Sequence, residues 1–451
     1  MTTSTFDVQR FIDERPFASF QWMTLVFCFL VAFLDGFDTA AVGFVAPSLS
    51  KALNVPPPEL KQLLTVGFFG LALGALAAGP LADRFGRKWV LVAALALFGL
   101  FSLFSTQATS LSQLTVLRFL TGIGLGAAMP NATTLTAEYC PAARRSLLIT
   151  LMFSGFTLGS AGGGFVAAAL IPQFGWQSVF SVGGVAPLAL AVVLGFALPE
   201  SIQYLVARGN AKHRAVASIV HRIDPLAKVD ADTRFVSPEK TSDRASLNIL
   251  FDNGLGFGTI AIWTAFFMGL IVIYLLTSWL PTLMTVTGLG IEKAALIGAM
   301  FQLGGTVGAL AVSWCMDRYN PNLSIAVSYL LGAAMLLLIV QAPSNLITLG
   351  ALVFMAGFFM SGSQTSMLPL AANFYPTLGR ATGVSWMLGV GRFGAILGAF
   401  MGGVLLSLGW GFQLIMGSLA APAAIAALAV LLKMRRYQTS DRTPAMAPVV
   451  D

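Results

Sequence analysis

The sequence predicts an all-α membrane protein that crosses the bilayer twelve times and is built from two similar six-helix bundles. Of its 451 residues, 57% are hydrophobic and only 10% are charged, which is unlike a soluble globular domain. Apolar runs of about 20 residues, the length of a spanning helix, recur along the chain. Short motifs also recur at a constant displacement in the two halves, and a spanning β-barrel would instead show short alternating segments.

The polar and apolar stretches divide the chain into five segments. These are an N-terminal arm over 1–20, an N-terminal bundle over 21–200, a central loop over 201–256, a C-terminal bundle over 257–433 and a tail over 434–451. Within the arm, the sequence of Asp7–Arg15 fits either a short amphipathic helix on the membrane surface or an arm exposed to solvent. The predicted spans are 21–46, 60–81, 89–108, 112–135, 145–170, 176–198, 257–284, 292–315, 323–341, 345–371, 380–408 and 411–433.

Lysine and arginine in the short loops lie almost entirely on one side of the predicted membrane. The other side has only Lys51, Lys61 and Lys293. Because cytoplasmic loops are enriched in these residues, both termini and the central loop are predicted to be cytoplasmic, which requires an even number of spans. The same distribution accounts for the net charge of +7, so this charge does not indicate nucleic-acid binding.

The two halves repeat at a displacement of 234 positions. Such duplication predicts two bundles with a binding site near the bilayer midplane between them, and one chain is then sufficient for function. The matching pairs are Leu81–Phe85 with Cys315–Tyr319, Ala46–Leu49 with Leu280–Leu283, and Trp176 with Trp410.

Four ionisable residues lie well inside the spans: Asp35 and Asp38 in span one, Arg118 in span four and Arg392 in span eleven. Each costs about 2.5–3.5 kcal/mol at the centre of a spanning helix, so they are expected to face protein or water and to be functional. The aspartates share a helix face, and the two arginines balance their charge. We expect a substrate carboxylate to take over an arginine and the released aspartate to bind a proton.

Two other interpretations of these residues remain. All four can be structural ion pairs between helices. Arg118 lies only a few residues into span four, so it can also snorkel toward the periplasmic edge or serve an external gate.

The stretch Gly79–Lys88 resembles the signature between spans two and three of the major facilitator superfamily. Within that superfamily, the chain is similar to the aromatic acid:proton symporters at Asp35–Thr39, Leu117–Gly126, Met129–Thr134, Pro199–Ser201 and Gly379–Gly394. The resemblance implies import of a small aromatic carboxylate, such as 4-hydroxybenzoate or protocatechuate, with protons across a bacterial inner membrane by alternating access. It implies no cofactor beyond the proton gradient.

The resemblance and the residue types together indicate candidate gating residues and candidate substrate-binding residues. Asp83 is expected to dock on the N-terminus of span eleven, with basic residues anchoring a cytoplasmic gate and the second copy of the motif acting as a weaker latch. A ring-shaped substrate needs apolar walls and a few polar contacts. The gating candidates are Asp83, Arg84, Arg87, Lys88, Glu138, Asp317 and Arg318, and the substrate candidates are Arg392, Arg118, Asn131, Gln302, Gln364, Tyr274, Trp386 and Phe37.

Two other functions compete with import. One is proton-driven export of aromatic acids or drugs, and the other is a membrane sensor that binds aromatic acids without transporting them. The sequence shows no nucleotide-binding loop, no His/Cys metal cluster and no nucleophile constellation, so neither an enzyme nor a metal site is expected. The glycines at 155, 159, 162–164, 389, 391, 394 and 398 are predicted to let helices approach closely.

Overall fold

The computed structural model describes residues 5–208, 213–227, 233–236, 247–341, 345–375 and 379–440. In this part of the chain, twelve segments are long and apolar enough to cross a membrane, as predicted. The chain forms two compact units. Unit 1 comprises Met1–Thr241 with Gly290–Ala299, and unit 2 comprises Ser242–Leu289 with Met300–Asp451.

Unit 1 begins with a short strand, β1 (Thr5–Asp7), and a two-turn helix, α1 (Val8–Glu14). Six spanning helices follow. They are α2 (Ser19–Ala52), α3 (Lys61–Phe85), α4 (Arg87–Ser105), α5 (Leu111–Tyr139), α6 (Arg145–Phe174) and α7 (Gln177–Ala197). The segment after them, predicted as a loop, contains α8 (Ile202–Ala207), α9 (His213–Ile223) and the strand β2 (Arg234–Val236).

Unit 2 contains the spanning helices of the second half. They are α10 (Gly256–Val286), α11 (Ile291–Arg318), α12 (Pro321–Val340), α13 (Leu346–Phe374) and α14 (Arg380–Ser407), and the last span consists of α15 (Phe412–Ser418) and α16 (Ala420–Ser440). The first turns of α11, up to Ala299, belong to unit 1. Several helices extend beyond the predicted spans, because helical hydrogen bonding continues past the apolar run that crosses the bilayer.

The backbone confirms the internal repeat. Asn54 (φ 52°) corresponds to Gly288 (φ 97°), and Gly175 (φ 75°) corresponds to Gly409 (φ 77°). Each pair is displaced by the same 234 positions as the sequence motifs. A positive φ is uncommon outside glycine, so its recurrence at equivalent turns shows that both halves leave their helices in the same way.

Glycines let α2 and α6 pack closely. A Cβ atom at Gly159 would lie 1.8 Å from the carbonyl oxygen of Phe33, and one at Gly36 would lie 1.9 Å from that of Phe156. Both atoms belong to backbone, so neither contact can be relieved by a side-chain movement. Gly389 is different, because a Cβ atom there would meet nothing within 4 Å, and the prediction of close packing is wrong at this glycine.

We therefore expect Gly159→Ala to destabilise the protein and Gly389→Ala to leave its stability unchanged or slightly higher. The first variant forces α2 and α6 apart, and overpacking costs about 1–3 kcal/mol or more. The second gains up to about 1 kcal/mol of helix propensity. Thermal unfolding in detergent measures both effects, and an equal fall in Tm for the two variants would contradict the packing argument.

The N-terminal arm folds onto unit 1 and does not present an apolar face to the membrane surface. β1 pairs in parallel with β2, with Thr5 opposite Arg234. In α1, the apolar residues Val8, Phe11 and Ile12 are buried. They belong to one apolar cluster with residues of α9 that recur at the spacing of one helix face: Val216, Ile219, Val220 and Ile223. The membrane-surface interpretation of the arm is therefore wrong, because protein covers the apolar face of α1.

Polar contacts fasten the arm to the turn between α5 and α6. The Asp13 carboxylate accepts a hydrogen bond from the backbone N–H of Ala142 at 2.8 Å. On the other side of the turn, Gln21 Nε2 donates to the carbonyl oxygen of Tyr139 at 2.7 Å. Asp13 of the arm and Gln21 of α2 thus hold this turn at its two ends.

Candidate functional site

The centre of unit 1 contains a buried ion pair between Asp38 of α2 and Arg118 of α5. Arg118 Nη1 lies 3.0 Å from Asp38 Oδ1 and 3.1 Å from Asp38 Oδ2. Each residue is only 2% exposed. The predicted neutralisation of an aspartate by an arginine is confirmed for this pair. The snorkelling interpretation of Arg118 is wrong, because its guanidinium reaches an internal carboxylate.

Neutral groups from three helices complete the surroundings of the pair. Ser102 of α4 donates to Asp38 Oδ1 at 3.3 Å. Arg118 Nη2 donates to the hydroxyls of Ser105 and Thr121 at 3.4 and 3.0 Å. The ring of Phe180 in α7 lies 4.5 Å from the guanidinium carbon, within cation–π range. Arg118 Nε is buried and has no hydrogen-bond partner among the described residues.

The other two ionisable residues predicted inside the spans lie in different units, Asp35 on α2 in unit 1 and Arg392 on α14 in unit 2. The Asp35 carboxylate is buried and accepts a hydrogen bond from Thr39 Oγ1 of its own helix at 3.4 Å. Arg392 is half-buried in α14, and no described residue of unit 2 forms an ion pair with it. The balance of two aspartates with two arginines thus holds as a formal sum, while the observed geometry pairs Asp38 with Arg118.

The predicted substrate-contacting amides of Asn131 and Gln364 already have partners within their own units. Asn131 Nδ2 donates to the Ala127 carbonyl oxygen one turn earlier, at 2.8 Å. Gln364 Oε1 accepts from the Tyr329 hydroxyl at 2.8 Å, and its Nε2 donates to the Phe266 carbonyl oxygen at 3.2 Å. Gln364 therefore links α10, α12 and α13. A substrate contact by either amide stays a prediction.

The remaining substrate candidates have different environments. Phe37 is buried, and its ring lies beside Gly183 of α7, so it packs inside unit 1. Gln302 Nε2 donates to Thr277 Oγ1 at 3.1 Å. Tyr274 is half-buried in α10. Trp386 stacks on Trp263 with ring centroids 5.9 Å apart and an interplanar angle of 20°.

A second buried cluster joins the start of α4 to the end of α5. Arg87 Nε lies 3.1 Å from Glu138 Oε1 in an ion pair that lacks hydrogen-bond alignment, and Glu138 is 3% exposed. The Ser201 hydroxyl donates to Glu138 Oε2 and accepts from Arg87 Nη1 at 3.0 Å. Arg87 and Glu138, both predicted as gating residues, are thus in contact, and their role in gating stays a prediction.

Glu200 is a member of this cluster that sequence reasoning missed. Its Oε1 accepts from the backbone N–H groups of Lys88 at 3.0 Å and Ser201 at 2.8 Å. The carboxylate thus sits at the N-terminus of α4, where the helix dipole favours an anion. A Cβ atom at Gly86 (φ 92°) would lie 2.2 Å from Glu200 Oε2. The signal that could have found it is the Pro199–Ser201 motif directly after the sixth span.

The other gating candidates lie at helix ends. Asp83 and Arg84 are in the last turn of α3, and the Arg84 carbonyl oxygen accepts from the Tyr204 hydroxyl at 3.2 Å. Asp317 and Arg318 end α11. Their gating roles, and the docking of Asp83, stay predictions. Among the described residues, no cluster of three His, Cys, Asp or Glu side chains is placed to hold a metal ion.

Arg87→Ala is expected to lower the free energy of unfolding, because it leaves the Glu138 carboxylate buried without its cation. Breaking one side of a buried ion pair costs about 3–5 kcal/mol. In the double variant Arg87→Ala/Glu138→Gln, the neutral amide can keep the bond with Ser201, so we expect part of the lost stability to return. Thermal unfolding of both variants tests this, and a double variant no more stable than Arg87→Ala alone would refute the electrostatic explanation.

Comparisons with known proteins bear on the function of this arrangement. The family model of the Major Facilitator Superfamily matches residues 28–353 and 294–449. The 4-hydroxybenzoate transporter PcaK of Pseudomonas putida is 50% identical over 428 residues, which are 95% of this chain and 95% of that protein. A gallate transporter of the same species is also 50% identical, over 94% of each chain. The solved xylose transporter XylE of E. coli is 17% identical and covers 90% of this chain and 95% of its own, with a TM-score of 0.68, which shows a shared fold.

Proposed function

Because this chain belongs to the Major Facilitator Superfamily and is a multi-pass transporter rather than an enzyme, we propose that it imports small hydroxylated aromatic carboxylates together with protons. 4-Hydroxybenzoate and protocatechuate are the proposed substrates, and a bacterial inner membrane with both chain termini cytoplasmic is the proposed location. Two relatives at 50% identity support the substrate class, since one is named for 4-hydroxybenzoate and the other for gallate. The duplicated bundles support function as a monomer by alternating access.

The observation that carries proton coupling is the buried pair of Asp38 and Arg118, which places an ionisable carboxylate where water is scarce. Arginine stays charged in proteins, so a proton that enters this pair must bind the aspartate. Protonation of Asp38 leaves the charge of Arg118 uncompensated in a buried site. A substrate anion inside the carrier restores the balance, which favours binding of one proton with one carboxylate.

The substrate carboxylate is proposed to bind Arg392. Arg118 already holds a carboxylate, whereas no described residue of unit 2 forms an ion pair with Arg392. Guanidinium groups suit planar carboxylates because they can form two parallel hydrogen bonds. This division of roles revises the initial hypothesis, in which substrate displaced an aspartate from its arginine.

The test is uptake of labelled 4-hydroxybenzoate into proteoliposomes under an inward proton gradient. We expect saturable accumulation that an uncoupler abolishes and that protocatechuate and gallate inhibit by competition. Accumulation only under an outward gradient would establish an exporter instead. Saturable binding without flux, in either gradient, would establish a sensor.

A further inference from the structure

The Ser102 hydroxyl lies between the Asp38 carboxylate and the backbone of α7. Its hydroxyl oxygen lies 3.3 Å from Asp38 Oδ1 and 3.4 Å from the carbonyl oxygen of Phe180. The side chain is completely buried. One hydroxyl proton therefore has two acceptors within reach, one an ionisable carboxylate and the other a permanent backbone acceptor.

We propose that Ser102 is a positioning residue for proton coupling, whose hydroxyl rotates between these two acceptors as Asp38 gains and loses its proton. The inference rests on the proposed function, because it assigns a role within the proton site of that function. It adds a residue that touches the proton-binding carboxylate but carries no charge itself.

With Asp38 ionised, Ser102 donates its proton to Oδ1, and Arg118 Nη1 donates to both carboxylate oxygens. With Asp38 protonated, the new carboxyl O–H needs an acceptor. Ser102 Oγ can accept that bond if it turns its own proton to the Phe180 carbonyl oxygen. A hydroxyl group can donate one bond and accept two, so every donor in this chain of bonds has a partner in both states. A buried donor without a partner would otherwise disfavour one of the states.

The charged groups near Asp38 leave the role of alternating donor and acceptor to a neutral group. Arg118 on α5 is the charged group in contact with Asp38, and Asp35 lies three residues away on its own helix. The elements α4 and α7 present the Ser102 hydroxyl, the Phe180 ring and Gly183, and α6 faces α2 with glycines and Ser160. A Cβ atom at Gly183 would lie 3.4 Å from Ser102 Oγ, so α7 leaves room for the hydroxyl proton to turn.

The direction of the effect follows from the relative strength of the two hydrogen bonds. A bond donated to a carboxylate is about twice as strong as a bond between neutral groups, so Ser102 favours the ionised form of Asp38. Loss of its hydroxyl should therefore remove more hydrogen-bond stabilisation from the ionised state than from the protonated state. In Ser102→Ala, we expect the pH of half-maximal uptake to move upward, corresponding to a proton concentration about 3- to 10-fold lower.

The experiment compares three variants in the proteoliposome assay across a range of pH. Ser102→Thr keeps the hydroxyl and should restore the wild-type pH profile. Ser181→Ala is the matched control, since the Ser181 hydroxyl of α7 donates to the Gln177 carbonyl oxygen at 3.0 Å, and it should leave the midpoint in place. A profile for Ser102→Ala that superimposes on wild type, or an equal shift in Ser181→Ala, would overturn the proposal.

Infrared spectroscopy provides a readout that does not depend on transport. On acidification without substrate, the protonated carboxyl band of Asp38, identified by its absence in Asp38→Asn, should move to higher wavenumber in Ser102→Ala because a hydrogen bond is lost. An unmoved band would show that Ser102 does not bond the protonated acid. Proton-independent uptake by wild type with a shifted band would reject the proposed coupling and retain the contact between Ser102 and Asp38.

Discussion

Asp38→Asn is expected to abolish proton-driven accumulation while leaving exchange of substrate across the membrane measurable. Asparagine has the same shape as aspartate but binds no proton in the physiological range. The accumulation ratio should fall to about 1, because a carrier without linkage between proton and substrate can only equilibrate the substrate. Uptake under an inward proton gradient, compared with counterflow in its absence, measures the two activities separately.

The same substitution removes the counter-charge of Arg118, so a loss of folding must be distinguished from a loss of coupling. An uncompensated buried charge costs about 3–5 kcal/mol. The double variant Asp38→Asn/Arg118→Gln removes both charges and should recover thermal stability without recovering accumulation. Asp35→Asn tests the neighbouring aspartate in the same assay. Full accumulation by Asp38→Asn would contradict the assignment of this carboxylate.

Arg392→Gln is expected to raise the KM for uptake by about 10- to 100-fold. A hydrogen bond to a charged group contributes about 1.5–3 kcal/mol, and each 1.4 kcal/mol corresponds to a factor of ten in affinity. Arg392→Lys keeps the charge without the planar fork and should fall between wild type and the glutamine variant. Initial rates of uptake over a range of substrate concentrations provide the measurement.

Replacements of Arg392 and Arg118 are expected to differ in their effect on the thermal stability of the protein. Arg392 makes no ion pair with a described residue of unit 2, so its replacement should leave Tm nearly unchanged, whereas Arg118→Gln leaves Asp38 buried without its cation and should lower Tm. An unchanged KM in Arg392→Gln would show that the substrate carboxylate binds elsewhere. A fall in Tm equal to that of Arg118→Gln would indicate a structural role for Arg392 instead.

The cost of burying charge made the polar core of the first bundle predictable from sequence. Four ionisable residues in apolar spans required partners, and Asp38 and Arg118 are indeed paired. The contact of Asp38 in particular with Arg118 was not predictable, because Asp35 and Asp38 are three residues apart and share one broad helix face. The sequence did not indicate that Ser102 and Phe180 belong to the site, since serine and phenylalanine are common in any apolar helix. Only tertiary packing brings these two residues to the pair of Asp38 and Arg118.

The segments outside the membrane spans were predicted less well, for a different reason. The apolar positions of α9 have helical spacing, but they lie within a stretch whose overall polarity is typical of a loop. One of the two interpretations of the arm, an amphipathic helix, agrees with α1, yet the α9 residues of its apolar cluster could not be identified, because they lie about two hundred residues away in the sequence. Periodicity reports which face of a helix is apolar and does not report what covers that face.

The parallel pairing of β1 with β2 has a consequence for biosynthesis. Thr5 is synthesised before the six helices of the first bundle, and its partner Arg234 only after them. At about 5–20 residues per second, roughly 10 to 50 seconds separate the synthesis of the two strands. Until then, Val8, Phe11 and Ile12 lack the α9 residues of their apolar cluster. Docking of the arm therefore marks the moment at which the first half of the transporter is complete.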